Sequence, residues 1–90
     1  MMRYKDIFNL NGKSIILTGA TGFLGKFFAN ALLEFGANLA IIDLKAEDLS
    51  DLCNNLKNKF SNQINSYVCD ITNENSVEII IKKILNDFKN

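Results

Sequence analysis

Residues 18–25 read Thr-Gly-Ala-Thr-Gly-Phe-Leu-Gly and follow directly on the apolar run Ser14-Ile15-Ile16-Leu17. Glycine at 19, 22 and 25, set between a strand and a helix, is the pattern of a loop that holds a diphosphate. Gly19 permits the tight turn out of the strand, Gly22 lets the backbone approach the pyrophosphate, and Gly25 lets the helix pack closely on the strand. The unpaired N–H groups and positive end of that helix then face the phosphates. The residues expected to line the diphosphate are Gly19, Thr21, Gly22, Phe23, Leu24 and Gly25. A magnesium-dependent phosphate loop is excluded. Gly25-Lys26 is present, but Ala20 stands where that motif needs its first glycine and Phe27 replaces the metal-binding hydroxyl.

A carboxylate sits where such a loop needs one. Asp43 closes the apolar run Asn38-Leu39-Ala40-Ile41-Ile42, eighteen residues after Gly25. It is placed to accept both ribose hydroxyls of an adenosine and to repel a 2′-phosphate, which favours NAD over NADP. Lys45 softens that preference, since a nearby cation can accept the extra phosphate. Asp70-Ile71-Thr72 ends a third short run and suits an adenine site, with Asp70 toward the exocyclic amine and Ile71 against the ring. The competing reading is that Asp70 and Thr72 only start the next helix.

The elements that must position these groups alternate. Ser14–Thr18, Asn38–Asp43 and Ser66-Tyr67-Val68-Cys69 read as strands, the first two so continuously apolar that cover on both faces is expected. Leu24, Phe28, Ala31, Leu32 and Phe35 mark one face of the first helix, with Gly36 placed as its C-terminal cap. The second helix shows Leu49, Leu52, Cys53, Leu56 and Phe60, with Glu47, Asp48 and Asp51 near its positive end. A third runs through Val77, Ile80, Ile81, Ile84, Leu85 and Phe88, opened by Thr72 as N-cap. The order β-α-β-α-β-α with buried strands implies an α/β fold, half of a doubly wound parallel sheet of Rossmann type with strand order 3-2-1.

Composition removes several classes of function. The 90 residues hold ten basic and ten acidic side chains without a basic block, so neither nucleic acid nor an anionic membrane surface is an expected partner. There is no histidine, which eliminates His-based metal sites and Ser-His or Cys-His nucleophile pairs. No metal site is expected. Cys53 and Cys69 have no metal-type spacing and read as buried structural thiols in a reducing compartment. With no signal-peptide core and no apolar stretch near the ~20 residues of a membrane span, the cytoplasm is the expected location.

These residues resemble the short-chain dehydrogenase/reductase family. The likeness covers almost the whole chain, from Phe8-Asn9-Leu10-Asn11-Gly12-Lys13 through the glycine loop and Asp43 to Asp70-Ile71-Thr72. It implies a dinucleotide-binding domain, NAD(P) as cofactor, and hydride transfer to or from an alcohol or carbonyl. The family's common loop has Thr-Gly, three residues, Gly, one residue, Gly. Here Phe23 occupies the middle glycine position and Gly22 has moved forward by one, a spacing that looks like the extended members, many of them nucleotide-sugar epimerases or dehydratases. The lead-in and the Asp-Ile-Thr segment look closer to sugar-alcohol dehydrogenases and 3-oxoacyl reductases.

The resemblance also implies catalytic residues further along a longer chain: an Asn-Ala-Gly segment, a serine and a Tyr-x-x-x-Lys pair. Tyr4 is followed four residues on by Phe8 and Tyr67 by Ile71, so no catalytic residue is assigned here. Residues 1–90 are therefore expected to be the N-terminal part of a truncated NAD(P)-binding domain, catalytically incomplete. The alternatives are a non-catalytic nucleotide-binding module and half of an epimerase or dehydratase. Ser14–Leu17 lacks the charges and prolines that protect natural sheet edges, so poor stability or self-association through that strand is expected.

Overall fold

The computed structural model describes residues 9–88; Tyr4 and Phe8 lie outside the described residues. The elements are β1 (Ser14–Thr18), α1 (Phe23–Glu34), β2 (Asn38–Asp43), α2 (Ala46–Lys59), β3 (Ile64–Val68) and α3 (Glu74–Asp87). The strands form one parallel sheet in the order β1-β2-β3, with Ile16 opposite Ala40 and Ile42 opposite Tyr67. β3 begins two residues before the run read from sequence and stops before Cys69. Ile64 explains the early start: it is buried beneath α2, although polar Asn65 and Ser66 break the apolar pattern behind it.

The central strand divides the core. Leu39 and Ile41 face α1 and α2 with Leu33, Leu49, Leu52, Cys53 and Leu56, whereas Ala40 and Ile42 face α3 with Tyr67, Cys69, Ile84 and Phe88. Helices thus cover both faces of β2, and the two free cysteines are buried on opposite sides of the sheet. The Tyr67 hydroxyl donates to Asp87 Oδ2 at 2.8 Å and fastens β3 to the end of α3. Asn62 Nδ2 donates to the carbonyls of Leu33 and Ala37 at 3.0 and 2.6 Å, holding the approach to β3 against the end of α1.

Helix α1 faces the sheet differently from the stripe of large residues in its sequence. Its buried positions are Gly25, Ala29 and Leu33, while Leu24 and Phe28 are exposed. The small residues decide this. Only a face without bulk lets the helix approach the turn after β1, so the larger side chains are displaced to its flanks. The helix ends as predicted: Gly36 at φ +101° donates to the Leu33 carbonyl, and Ala37 to that of Leu32, closing the last turn.

The start of α3 also differs. Asn73 is the N-cap, its side chain accepting from the Ser76 amide at 3.1 Å, whereas the Thr72 hydroxyl turns back to Asp70. The first strand, expected to be covered on both faces, is half-buried on one side only. Ile15 and Leu17 pack into the core under α1, but Ser14, Ile16 and Thr18 are exposed on the α3 side. Two apolar grooves of about 290 and 190 Å³ run there between β1 and α3, and both include Ile16.

Candidate functional site

The carboxyl ends of the parallel strands open on one edge of the sheet, where ligands of open α/β folds bind. β1 leads into the glycine loop, β2 ends at Asp43, and β3 leads to Asp70. Gly19 adopts φ +64°, a conformation that strains any residue with a side chain, and so turns the chain sharply after Thr18. The Gly22 amide then donates to the Gly19 carbonyl at 3.2 Å, closing the turn.

The loop amides divide into two groups. Ala20 donates to the Ile42 carbonyl at 3.3 Å and Thr21 to Asp43 Oδ2 at 2.9 Å, so both fasten the loop to β2. The amides of Phe23, Leu24 and Gly25 have no hydrogen-bond partner among the described residues, and Gly22, the N-cap, has no side chain to offer them. These are the orphan donors of the first turn of α1, at the positive end of its dipole. They suit an anion such as a diphosphate.

The glycines serve this arrangement unequally. A Cβ on Gly25 would collide with the Gly19 carbonyl and lie 2.8 Å from the Ala20 backbone, so Gly25 is required for packing. A Cβ on Gly22 would meet only the Gly19 carbonyl, at 3.5 Å, and the backbone at 22 is ordinary extended chain. Nothing among the described residues demands glycine at 22. The open approach it leaves beside the helix end fits a diphosphate on the amides of 23–25.

Asp43 lies beside this turn and is held from several directions. Its Oδ2 accepts the Thr21 hydroxyl at 2.7 Å as well as the Thr21 amide, and its Oδ1 accepts the Leu44 amide at 2.7 Å. The Thr21 hydroxyl, then its amide, hold the Asp43 carboxyl below the usual carboxylate range, against the smaller opposing effect of burial. The Cys69 amide donates to the Asp43 carbonyl at 3.1 Å, bringing the end of β3 alongside. Leu44 was not legible as a site residue, because the group that anchors Asp43 is a backbone amide.

Asp70 is fully exposed, and its Oδ1 accepts the Thr72 hydroxyl at 2.6 Å and the Thr72 amide at 2.9 Å. Those bonds, the hydroxyl first, hold its carboxyl below the usual range. Asp70 thus organises the turn into α3, and no hydrogen bond joins it to Asp43 or the glycine loop. Ile71 and Leu44 expose more than half of their surface at the same sheet edge. Phe23 and Leu24 offer the site their amides, and their side chains point largely to solvent.

Residues 13–90 match the family model described as short chain dehydrogenase. The chain belongs to the short-chain dehydrogenase/reductase family. A short chain dehydrogenase/reductase of Aspergillus versicolor is 37% identical over 83 residues, which cover 89% of this chain and 28% of that protein. The NADP-dependent mannitol dehydrogenase of Alternaria alternata is 31% identical over 87 residues, covering 93% of this chain and 33% of that protein. A crystal structure of NAD+-bound xylitol dehydrogenase superimposes with a TM-score of 0.83 at 34% identity, over 88% of this chain and 30% of that one. The chain spans about a third of the length of these family members, and is part of a short-chain dehydrogenase/reductase domain. No helix among the described residues is long and apolar enough to cross a membrane.

Proposed function

We propose that this chain is the cofactor-holding segment of an NAD-dependent oxidoreductase acting on an alcohol or carbonyl, with its catalytic residues in a part of the domain beyond this segment. The observation that carries the reading is the pairing of orphan amides at Phe23, Leu24 and Gly25 with an anchored, ionised carboxylate at Asp43. The amides suit the diphosphate, and Asp43 suits the adjoining ribose. When bound, NAD supplies the hydride-accepting ring; this segment binds and orients the adenosine end. Ile71 and Leu44 are apolar surfaces for the adenine, with Asp70 Oδ2 left to accept from its amino group.

A carboxylate at the ribose supports NAD over NADP, because a 2′-phosphate would meet like charge. Relatives that carry the names mannitol dehydrogenase and sorbose reductase favour hydride transfer on polyols and ketoses over the epimerase reading of the glycine spacing. Two buried free thiols accord with a reducing cytoplasm.

The open side of β1 belongs to the same reading. Among the described residues β1 pairs only with β2, and Ile16 on it is 43% exposed beside the apolar grooves. This edge takes a further strand, from the rest of such a domain or from a second copy of this chain.

Calorimetric titration with NAD and NADP tests the cofactor assignment. Tighter binding of NAD, with the preference reduced in Asp43→Ala, is the expected result. A preference unchanged by Asp43→Ala would remove the ribose role.

A further inference from the structure

The ribose carboxylate is anchored by a side chain of the glycine loop itself. Thr21 spends both of its donors, hydroxyl and amide, on the single oxygen Asp43 Oδ2, at 2.7 and 2.9 Å. The other oxygen is fixed by the Leu44 amide at 2.7 Å. The last torsion of an aspartate side chain is otherwise broad and soft. With each oxygen tied to a different neighbour, the plane of this carboxylate is set before any ligand arrives.

Of these donors only the Thr21 hydroxyl is a choice of sequence, since any residue but proline supplies the amides. Thr21 is partly buried, and its β-branch restricts the side-chain torsion that aims the hydroxyl. A loop that offered Thr21 N–H to a phosphate would need that group free. Here it is not, and the phosphate-facing amides begin at Phe23.

We propose that Thr21 is the specificity-positioning residue of the ribose site: its hydroxyl fixes the Asp43 carboxylate in the orientation that presents Oδ1, the oxygen Thr21 does not engage, to a ribose hydroxyl and rejects a 2′-phosphate. The inference rests on the NAD-binding reading above. It assigns Thr21 a role through Asp43 in place of direct contact with the diphosphate. It also links the two halves of the site mechanically, because the residue that positions Asp43 sits in the turn that presents the amides of 23–25. The lowered carboxyl of Asp43 accords with this, the Thr21 hydroxyl being its largest cause.

The test is titration of the 90-residue chain with NAD and with NADP, for wild type, Thr21→Val and Thr21→Ser. Valine keeps the shape and the amide but removes the hydroxyl. Loss of one charge-assisted hydrogen bond from the positioned carboxylate should cut the NAD-to-NADP preference about five- to tenfold, and serine should restore most of it. Carbon-13 titration of the Asp43 carboxyl should show its pKa rising in Thr21→Val and staying low in Thr21→Ser. A wild-type preference in Thr21→Val overturns the inference, even if its melting temperature falls, and leaves the NAD reading standing. Failure of the wild-type chain to bind either dinucleotide overturns the NAD reading and this inference with it.

Discussion

The carbonyl oxygen of Gly19 occupies the space that a Cβ on Gly25 would need, and the Ala20 backbone lies within 2.8 Å of the same point. That contact seats α1 on the turn after β1. Gly25→Ala must therefore push the helix away from the sheet, because the obstacle is main chain that cannot rotate aside. A loss of about 3 kcal/mol or more of stability is expected, in the range of severe overpacking. Denaturant unfolding of the two proteins measures it, and an unfolding midpoint equal to that of wild type would show that the close approach is not needed.

Gly22 makes the opposite prediction. A Cβ there meets only ordinary contact and the backbone is compatible, so folding stability in Gly22→Val should change by no more than about 1 kcal/mol, the scale of an N-cap substitution. Dinucleotide affinity should nevertheless collapse, because a side chain at the N-cap would occupy space that the proposed diphosphate needs beside the amides of 23–25. Equal dinucleotide affinity in wild type and Gly22→Val, read by calorimetry, would remove the diphosphate from this position.

The pH dependence follows from Asp43. Its folded carboxyl lies below the ordinary aspartate value through the Thr21 hydroxyl and amide, so its contribution to stability is fully present above the unfolded pKa of about 4. That contribution fades as pH falls from there through the lower folded value. Thr21→Val should be less stable than wild type at pH 7, and the gap should narrow on acidification below pH about 4. Thermal melts across that range report it, and a gap independent of pH would mean that the hydroxyl does not act on an ionised Asp43.

The open sheet edge predicts behaviour in solution. β1 is Ser-Ile-Ile-Leu-Thr, without a charge or proline to discourage pairing, whereas the far edge, β3, carries Asn65 and Ser66. The isolated chain should self-associate, and Ile16→Lys, which places a charge beside the grooves, should shift it toward monomer. Sedimentation velocity distinguishes the cases. A wild-type chain that stays monomeric at the concentrations used for structural work would contradict the edge assignment.

The helix cap gives a smaller and cleaner test. Asn73→Ala removes the acceptor of the Ser76 amide and should cost about 1 kcal/mol. Thr72→Val should cost less, since Thr72 donates to exposed Asp70 and does not cap α3. A larger loss in Thr72→Val than in Asn73→Ala would reverse the assignment.

How far the residues announced this arrangement depends on which physical signal each one carries. The strands β1 and β2 and the buried face of α2 were legible because continuous apolar runs and helical periodicity are strong signals. The face of α1 was misread because hydrophobicity favours Leu24 and Phe28, whereas close packing favours Gly25 and Ala29. Sterics won. Thr72 and Asn73 are both good caps, and only the backbone geometry chooses between them. The site residues Gly19, Gly22, Gly25 and Asp43 stood out by spacing. The bond from Thr21 to Asp43 did not, because it joins residues 22 positions apart that meet only once β1 and β2 pair.

The proposed site is defined by where a dinucleotide touches the chain. Amide chemical shifts of the nitrogen-15-labelled protein, followed as NAD is added, locate that contact residue by residue. The largest changes are expected at Phe23, Leu24 and Gly25, with smaller ones at Leu44 and Ile71 and none at Asn62, which lies at the opposite end of the strands. Saturating NAD that leaves the amides of 23–25 unmoved, or that moves only residues away from this sheet edge, would contradict the site.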